Sequence, residues 1–101
     1  GMGSLRLVPE AARGLSRATV ERGLSVRMRR GGEEIKPFGQ AHTKKLKKLL
    51  QQEGIVPWMR DRIPLIYSGD DLIAVGDLWI AAEAAASPGV AIRWTDRPAL
   101  Y

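Results

Sequence analysis

The sequence predicts an α+β domain in which short, mostly antiparallel strands (hairpins) pack with one main helix. Two observations predict the strands. The apolar or alternating stretches are short, and glycine or proline turn residues separate them. A third supports the helix, because residues 42–54 carry leucines at helical spacing between start and stop signals. Strands grouped around one helix through short connections do not fit alternating βαβ units.

The N-terminal stretch predicts one strand and leaves a longer segment undecided. Residues 4–8, SLRLV, alternate apolar and polar side chains as a strand does, and Pro9 is expected to end this strand early. Residues 9–23 have short apolar spacing interrupted by glycines. The pattern therefore favours neither a helix nor a strand over this segment.

A hairpin is predicted next. Residues 24–30, LSVRMRR, alternate apolar and polar side chains, which is typical of a half-buried strand. Gly31-Gly32 supplies the positive-φ residues that a tight hairpin turn favours, and residues 33–37 are expected to return as a short second strand. The apolar positions that would face the core are Leu24, Val26 and Met28.

The segment HTKKLKKLLQQEG, residues 42–54, predicts the main helix. Thr43 is an acceptable N-cap, and Gly54 fits the left-handed position just past the C-terminus. Ile55 then falls where a Schellman motif places its apolar contact, and Pro57 prevents continuation. The buried face is expected to carry Leu46, Leu49 and Leu50.

The C-terminal part predicts further strands. Residues 63–67, IPLIY, and 72–75, LIAV, are apolar and partly β-branched, and the turn residues between them indicate a hairpin of buried strands. Gly76-Asp77 marks another tight turn, which leads into residues 78–80. Both turns are short, so the strands they connect are expected to be neighbours.

The remaining residues complete one predicted domain. Residues 81–87 have helical propensity but too few large apolar side chains to anchor a helix, so they stay open. Residues 90–95, VAIRWT, predict the last strand. We expect residues 4–101 to form a single domain. Because Gly1 precedes a methionine, we interpret residues 1–3 as a scar left by tag removal.

Composition excludes several classes of protein. The chain has no cysteine, which excludes disulfides and thiolate metal sites and fits a reducing cytoplasm. No apolar run approaches the ~20 residues of a membrane span, and nothing resembles a signal peptide. We therefore expect a cytoplasmic protein with no membrane partner.

No catalytic site is predicted in this chain. His42 is the single histidine, and a lone histidine beside an apolar helix face is usually a packing or capping residue. Asp70-Asp71 follow a glycine and fit turn chemistry better than a metal pair. Because Walker, Rossmann, EF-hand and zinc-protease motifs are missing, we expect no cofactor or metal to bind this chain.

Basic charge is concentrated in the first part of the chain. Residues 1–62 hold 14 of the 16 Lys and Arg residues but only 6 of the 11 Asp and Glu residues, so residues 63–101 are net acidic. Such an asymmetry favours one surface that faces a polyanion. A soluble basic protein without a nucleic-acid partner is the alternative.

The lysines of the predicted helix are the strongest sign of such a surface. Helix N-termini carry partial positive charge, so lysines are least favourable there, and like charges three or four residues apart repel. A bound phosphate would reverse both penalties, since free backbone N–H groups at a helix N-terminus bind anions. A lysine-rich solvated face is the alternative. The candidate residues are Lys44, Lys45, Lys47 and Lys48.

Basic residues on neighbouring segments extend this candidate site. They are Arg27, Arg29, Arg30, Lys36, Arg60 and Arg62. Glu33 and Glu34 follow a glycine turn amid arginines, and we expect them to form ion pairs with Arg29 or Arg30. An exposed tryptophan beside the patch would stack on a base or ribose, but core positions are expected for Trp58, Trp79 and Trp94.

Several of these features occur together in one known family. In chain order they are Arg29-Arg30, Gly31-Gly32-Glu33, the helix KKLKKLLQ, Gly54, PWMRDR, IPLIY, and Gly69-Asp70 before LIAV. From about residue 26 to 80, this order and spacing resemble the C-terminal domain of bacterial tRNA(Ile)-lysidine synthetase. The sequence departs from the family at Val56, where a first proline often precedes Pro57. Residues 1–23 and 81–101 match poorly.

The resemblance implies that this domain and a separate catalytic domain have different functions within a longer enzyme. That enzyme uses ATP and Mg²⁺ to join lysine to an anticodon cytidine of the AUA-decoding isoleucine tRNA. The chemistry belongs to an N-terminal domain whose Ser-Gly-Gly-x-Asp-Ser loop does not occur here. The C-terminal domain is implied to hold the tRNA around its acceptor stem. Its implied fold is similar to a β/β/α domain of the phenylalanyl-tRNA synthetase β-subunit, and its implied partners are tRNA and the N-terminal domain.

A structural interaction module stays open as the alternative. In that interpretation the basic face docks on the catalytic domain or on a second copy of the chain, as in a homodimer. Such a surface is expected to meet acidic groups on its partner. A membrane-surface helix is disfavoured, because three leucines on a short helix offer little apolar area for insertion.

Overall fold

Within residues 3–101, which are the residues that the structure describes, antiparallel strands form three small sheets beside two helices. The structure is a computed structural model, and the part of the scar interpretation that concerns Gly1-Met2 lies outside the described residues. The strands are β1 Ser4–Ala11, β2 Gly14–Leu15, β3 Ser25–Arg27, β4 Glu34–Ile35, β5 Lys44–Lys45, β6 Leu65–Ser68, β7 Asp71–Val75, β8 Trp79–Ile80, β9 Ala85–Ala86 and β10 Gly89–Thr95. The helices are α1 Arg17–Glu21 and α2 Leu46–Glu53, with 3₁₀ turns at Pro57–Met59 and Ala82–Ala84. The predicted α+β class is confirmed, and α1 is a short addition to the one main helix predicted.

Two four-stranded sheets carry most of the fold. One has the order β1-β10-β2-β9 and the other has the order β3-β6-β7-β8, while β4 and β5 form a separate antiparallel pair. The first sheet joins the two ends of the chain, because β1 pairs with β10 from Ser4↔Thr95 to Ala11↔Gly89. In the second sheet, β6 and β7 form the predicted hairpin and β8 follows through the predicted turn, so these elements are confirmed.

β1 extends past Pro9, so the prediction that this proline ends the strand is wrong. The register with β10 shifts between Val8 and Ala11, and Glu10 has a positive φ of 56°. A β-bulge of this kind leaves a residue out of the ladder, which suits proline because it has no N–H to donate. The strand therefore continues through Pro9, which lies at the bulge in the β1–β10 ladder.

Contacts with the last strands organise the segment that the sequence leaves undecided. A Cβ on Gly14 would lie 2.3 Å from the Val90 carbonyl oxygen, so β2 approaches β10 this closely only because glycine stands there. Ser16 then caps α1, its hydroxyl accepting a hydrogen bond from the Thr19 N–H at 3.2 Å. The segment is thus set between strands from the far end of the chain.

The hairpin predicted across Gly31-Gly32 is wrong. β3 pairs with β6, and β4 pairs with β5. Both glycines have the predicted positive φ, 110° and 82°, but the chain does not fold back onto β3. Instead, β3 pairs over three residues with β6, a strand that is far from β3 in the sequence.

β3 is an edge strand, and its one apolar side chain, Val26, faces solvent. Val26 is 56% exposed and Met28, which follows the strand, is 49% exposed, so the prediction that they face the core is wrong. Leu24, just before the strand, packs against the core as predicted. The side chain that lies on the sheet is that of Arg27, whose guanidinium carbon is 4.3 Å from the ring centroid of Tyr67. Its cation–π contact uses the face of the strand that the alternating pattern assigns to solvent.

α2 begins at Leu46, so the predicted N-cap Thr43 is wrong. Lys44 and Lys45 are held in β5 against β4, and the Leu46 N–H donates to the Glu33 carbonyl oxygen at 2.9 Å. Lys45 occupies the N-cap position without a capping side-chain hydrogen bond. The strand pairing therefore delays the start of the helix.

The predicted end of α2 is confirmed. Gly54 has a φ of 82°, and its N–H donates to the Gln51 carbonyl oxygen at 3.2 Å. The Ile55 N–H donates to the Leu50 carbonyl oxygen at 3.1 Å. These two bonds define the Schellman motif. Ile55 is fully buried together with the predicted helix face, which consists of Leu46, Leu49 and Leu50.

The hydrophobic core includes residues from Leu15 to Leu100 and thus draws on both halves of the chain. Trp94 is buried at 6% exposure, as predicted, and Trp79 is half-buried against the core. Trp58 is 71% exposed, so the core prediction is wrong for this residue. In the 3₁₀ turn that follows α2, Met59 is the residue that points inward instead.

Candidate nucleic-acid interface

Three lysines line a single cleft at the start of α2. β5 contributes two of them and the first turn of α2 contributes the third. The cleft has a volume of about 360 Å³, and none of its lining residues is acidic. Lys47, the fourth lysine of the prediction, is exposed on α2 outside this lining. The lysine cleft, as we call it, consists of Thr43, Lys44, Lys45, Lys48 and Gln52.

The lysine cleft is electropositive for a reason that differs from the prediction. Lys44 and Lys45 precede α2, so the expected like-charge repulsion along the helix does not apply to them. The first turn of α2 has no acidic residue, and its N-cap side chain makes no capping bond. The partial positive charge of the helix N-terminus therefore adds to the ammonium groups gathered at the β5–α2 junction. An anion such as phosphate suits this arrangement.

Arg27 and Arg30 lie in a second, smaller cleft beside Tyr67. The Arg27 guanidinium donates a hydrogen bond to the Gly69 carbonyl oxygen at 2.9 Å and lies 3.8 Å from the Asp70 carboxylate. These contacts and the stacking on Tyr67 fix the Arg27 side chain, which stays 44% exposed. The cleft has a volume of about 150 Å³ and is lined by Arg27, Met28, Arg30, Glu33 and Tyr67.

Glu33 is held by backbone N–H groups and not by the ion pair that was expected. Its carboxylate accepts hydrogen bonds from the N–H groups of Arg30 at 2.7 Å and Gly31 at 2.9 Å. Burial alone would raise the pKa of Glu33, but these backbone bonds and the nearby Arg29 charge lower it below the usual 4.5. The ionised carboxylate thus fixes the loop between β3 and β4.

Two of the predicted arginines serve structural contacts. Arg29 donates from Nη1 to Asp61 Oδ1 at 2.8 Å, and its side chain is only 15% exposed. Arg60 donates from Nε to the Ile55 carbonyl oxygen at 2.8 Å, which ties the 3₁₀ turn to the end of α2. Arg62 is exposed on the same segment. Arg29 and Arg60 are therefore less available to a partner than the lysines are.

Lys36 lies among carboxylates. It lines a cleft of about 420 Å³ that repels phosphate, because the acidic side chains of that cleft are Glu33, Glu34, Asp70, Asp71 and Glu83. The structure therefore places Lys36 in a less favourable field for an anion than the lysine cleft offers. Among residues 3–101, no group of three or more His, Asp or Glu side chains is placed to hold a metal ion.

His42 is exposed in the loop before β5, so it does not lie on the apolar face of the helix and the packing prediction is wrong.

Asp70 and Asp71 lie where the β6–β7 hairpin turns, as predicted. Over the described part of the chain, the helices are too short or too polar to cross a membrane.

A cavity with an aromatic wall, which no pattern in the sequence predicts, lies between β8 and β10. It has a volume of about 470 Å³. The guanidinium carbon of Arg13 lies 4.7 Å from the ring centroid of Phe38, which is 48% exposed. Trp79 and Arg93 also line the cavity. One feature of the sequence indicates this cavity. Phe38 is the single phenylalanine, and it lies in a loop that belongs to none of the predicted apolar patterns.

These features define a small basic α+β domain whose lysine cleft lies where a strand meets the N-terminus of the main helix. The family model described as the TilS substrate C-terminal domain matches residues 24–94. The chain therefore belongs to this family, and the predicted resemblance is confirmed. The match continues to residue 94, so the prediction of a poor match after residue 80 is wrong for residues 81–94. The matched residues include the lysine cleft, the 3₁₀ turn after α2 and the whole of the second sheet.

Proteins named tRNA(Ile)-lysidine synthase are similar to this chain. One from Xanthomonas campestris pv. campestris is 42% identical over 84 residues, which cover 79% of this chain and 19% of the relative. One from Coxiella burnetii is 56% identical over 52 residues, or 52% of this chain and 12% of the relative. One from Salmonella newport is 36% identical over 96 residues, or 93% and 22%. The chain thus spans about a fifth or less of these relatives.

Proposed function

We propose that this chain is the tRNA-holding part of a tRNA(Ile)-lysidine synthase. In this proposal it grips the backbone phosphates of the tRNA around the acceptor stem. An N-terminal domain of the same enzyme uses ATP and Mg²⁺ to ligate lysine to the anticodon cytidine of the AUA-decoding isoleucine tRNA. The names of the relatives support tRNA(Ile) as the substrate.

The observation that carries the proposal is the lysine cleft. It combines three lysines, a helix N-terminus without acidic residues and a lining without carboxylates. A-form RNA is held mainly through phosphates and 2′-hydroxyls, so basic side chains suffice to bind it. Because lysine anchors phosphate as a point charge and reads bases poorly, this interface recognises the shape of the RNA.

Five of the other seven predicted basic residues take two roles in this proposal. Lys47, Arg30 and Arg62 are exposed and extend the phosphate-binding surface beyond the cleft. Arg29 and Arg60 position the backbone through Asp61 and the end of α2. A fold similar to the β/β/α domain of the phenylalanyl-tRNA synthetase β-subunit is part of the proposal, and the antiparallel sheets beside α2 are compatible with it.

The proposal is tested by neutralising the lysine cleft in a full-length synthase that carries this domain. We expect Lys44→Gln, Lys45→Gln and Lys48→Gln together to weaken tRNA binding by about tenfold or more, because each phosphate that is no longer neutralised keeps its condensed counterion. The measurement is a fluorescence titration of labelled tRNA at fixed, low salt.

The matched control removes the same charge elsewhere. Arg6 lies on β1, Arg17 begins α1 and Arg22 follows it, and all three are exposed. Changing these three to glutamine is expected to alter the affinity by no more than about twofold, which long-range electrostatics alone explains. A lysine-cleft variant that binds tRNA as well as the control variant does contradicts the proposal.

A docking module is the alternative, and one observation favours it. Val26, Met28 and Trp58 expose apolar surface, which protein interfaces often use. In this alternative the domain contacts the catalytic domain of the synthase or a second copy of the chain, with the basic face meeting acidic groups. The lysine-cleft variant would then keep its tRNA affinity but change the sedimentation or domain association of the enzyme.

A further inference from the structure

The lysine cleft and the aromatic cavity are linked through a third concavity that shares lining residues with each of them. This concavity has a volume of about 250 Å³ and shares Lys44 and Gln52 with the lysine cleft. It shares Trp79 with the aromatic cavity, and its lining holds one acidic residue, Glu53, beside Lys44, so the basic charge lies at the two ends of the groove that the three concavities form. The groove therefore runs from the first turn of α2, past Trp79, to the cavity between β8 and β10.

The far end of this groove presents an aromatic platform on an anchored stretch of backbone. The Phe38 N–H donates to the Ile80 carbonyl oxygen at 2.7 Å, and Pro37 pairs with Ala81, so the backbone beneath the ring is anchored to the end of β8. The ring itself stays 48% exposed with the Arg13 guanidinium stacked on it. A half-exposed aromatic ring on an anchored stretch of backbone is suited to stacking with a planar ligand.

The cavity beside the platform has room for such a ligand. Its volume of about 470 Å³ is within the roughly 300–1,000 Å³ of small-molecule sites. Part of its wall is formed by small residues, Ala11, Ala12, Gly76 and Ala91. One lining residue, Asp77, is acidic, but its carboxylate pairs with Arg97, so Arg13 and Arg93 leave the cavity net basic.

We propose that this groove binds an RNA strand where it leaves a stem, with phosphates of the stem in the lysine cleft and an unpaired base stacked on the Arg13–Phe38 pair. The inference rests on the proposed function, because it assumes that RNA occupies the lysine cleft. Sites for single-stranded nucleic acid combine a basic groove with aromatic side chains on which bases stack, and guanidinium planes stack on bases as well. Bases inside a duplex are already stacked, so the groove favours RNA in which a stem continues into an unpaired strand.

The test uses a full-length synthase that carries this domain and three RNA hairpins with one common stem. One hairpin is blunt, one has a short unpaired 3′ extension and one has a short unpaired 5′ extension. We expect the wild-type enzyme to bind one of the two extended hairpins, whichever directs its unpaired strand into the groove, about tenfold more tightly than the blunt one. A gain of this size is what stacking of one base provides. We expect Phe38→Leu to abolish this preference by weakening the binding of the extended hairpin.

Two further variants separate stacking from an effect on folding. Phe38→Tyr keeps an aromatic ring and is expected to keep the preference for the extended hairpin. Arg13→Gln leaves Phe38 in place and is expected to lower the preference by about threefold. A wild-type enzyme without a preference, or a Phe38→Leu enzyme that retains it, overturns the inference.

The failure of this inference is distinguishable from failure of the proposed function. The lysine-cleft variant is expected to weaken binding of all three hairpins by a similar factor. If it leaves all three affinities unchanged, the proposed function and this inference both fail. If it weakens all three while Phe38→Leu changes nothing, only the aromatic end of the groove is wrong.

Discussion

At the scale of single residues, Glu33 makes the stability of this domain depend on pH. The folded state lowers its pKa below 4.5, because backbone N–H groups stabilise the carboxylate. A group with a depressed pKa stabilises the fold fully above its unfolded pKa, and this contribution is lost as the pH falls through the folded pKa. We therefore expect Glu33→Gln to lower the free energy of unfolding at neutral pH and the difference from wild type to shrink below about pH 4.5.

Thermal unfolding between about pH 7 and about pH 3 measures this difference. Glu34→Gln is the matched control, because it removes the neighbouring negative charge from an exposed position on β4. We expect the control to destabilise the fold less than Glu33→Gln does at neutral pH. A constant difference between wild type and Glu33→Gln across the whole range argues against a role for the charged carboxylate.

Individual side chains are also where prediction from sequence is weakest. The sequence predicts Trp58 in the core, but the 3₁₀ turn after Pro57 points Met59 inward and leaves Trp58 exposed. Arg29 is predicted to bind an anion, but Asp61 approaches it from a segment far along the chain. Both outcomes depend on tertiary neighbours, which the local pattern around either residue does not contain.

At the scale of elements, the end of α2 depends on one glycine. Gly54 has a φ of 82°, and a Cβ there would meet no heavy atom within 4 Å, so backbone strain is the cost of adding a side chain. We expect Gly54→Ala to reduce the free energy of unfolding by about 1 kcal/mol, since a left-handed conformation is unfavourable for alanine. Gly54→Asn is expected to cost less, because asparagine tolerates this conformation better. Chemical denaturation of both variants is the measurement, and an equal loss for the two would contradict the backbone explanation.

The two ends of α2 show which parts of an element can be predicted. The predicted C-terminus is correct, because the leucine stripe, Gly54, Ile55 and Pro57 act within a few residues of each other. The predicted N-terminus is not, because Lys44 and Lys45 pair with β4 before the helix can begin. The hairpin of β6 and β7 is likewise local and correctly predicted, whereas the partner of β3 is distant and was missed.

At the scale of the whole molecule, the sequence predicts the kind of candidate site but not its extent. The structure gathers three of the ten predicted basic residues in the lysine cleft. Arg29 is neutralised by Asp61, Arg27 lies near Asp70, and Lys36 lies among carboxylates. The net charge of the chain is therefore a poor measure of its binding surface, because several of its arginines are already compensated within the fold.

The aromatic end of the groove is not predicted from the sequence, since Arg13 and Phe38 meet only after folding.

This distribution of charge leads to a prediction about salt. If the lysine cleft holds phosphates, the logarithm of tRNA affinity falls linearly with the logarithm of salt concentration, with a slope set by the number of phosphates neutralised. Neutralising the three lysines in a full-length synthase is expected to reduce that slope by about 2 to 3. The variant and wild-type affinities should then converge as salt rises, because salt screens the lysine–phosphate interactions that only the wild-type enzyme makes.

The control variant with Arg6, Arg17 and Arg22 changed to glutamine carries the same net charge as the lysine-cleft variant. It is expected to keep the wild-type slope, since those arginines lie on β1 and around α1 and line neither the cleft nor the groove. Equal slopes for the two variants would mean that total charge, and not the lysine cleft, governs binding. A lysine-cleft variant with weaker affinity but an unchanged slope would mean that the lysines act through the fold and not through contact with phosphate.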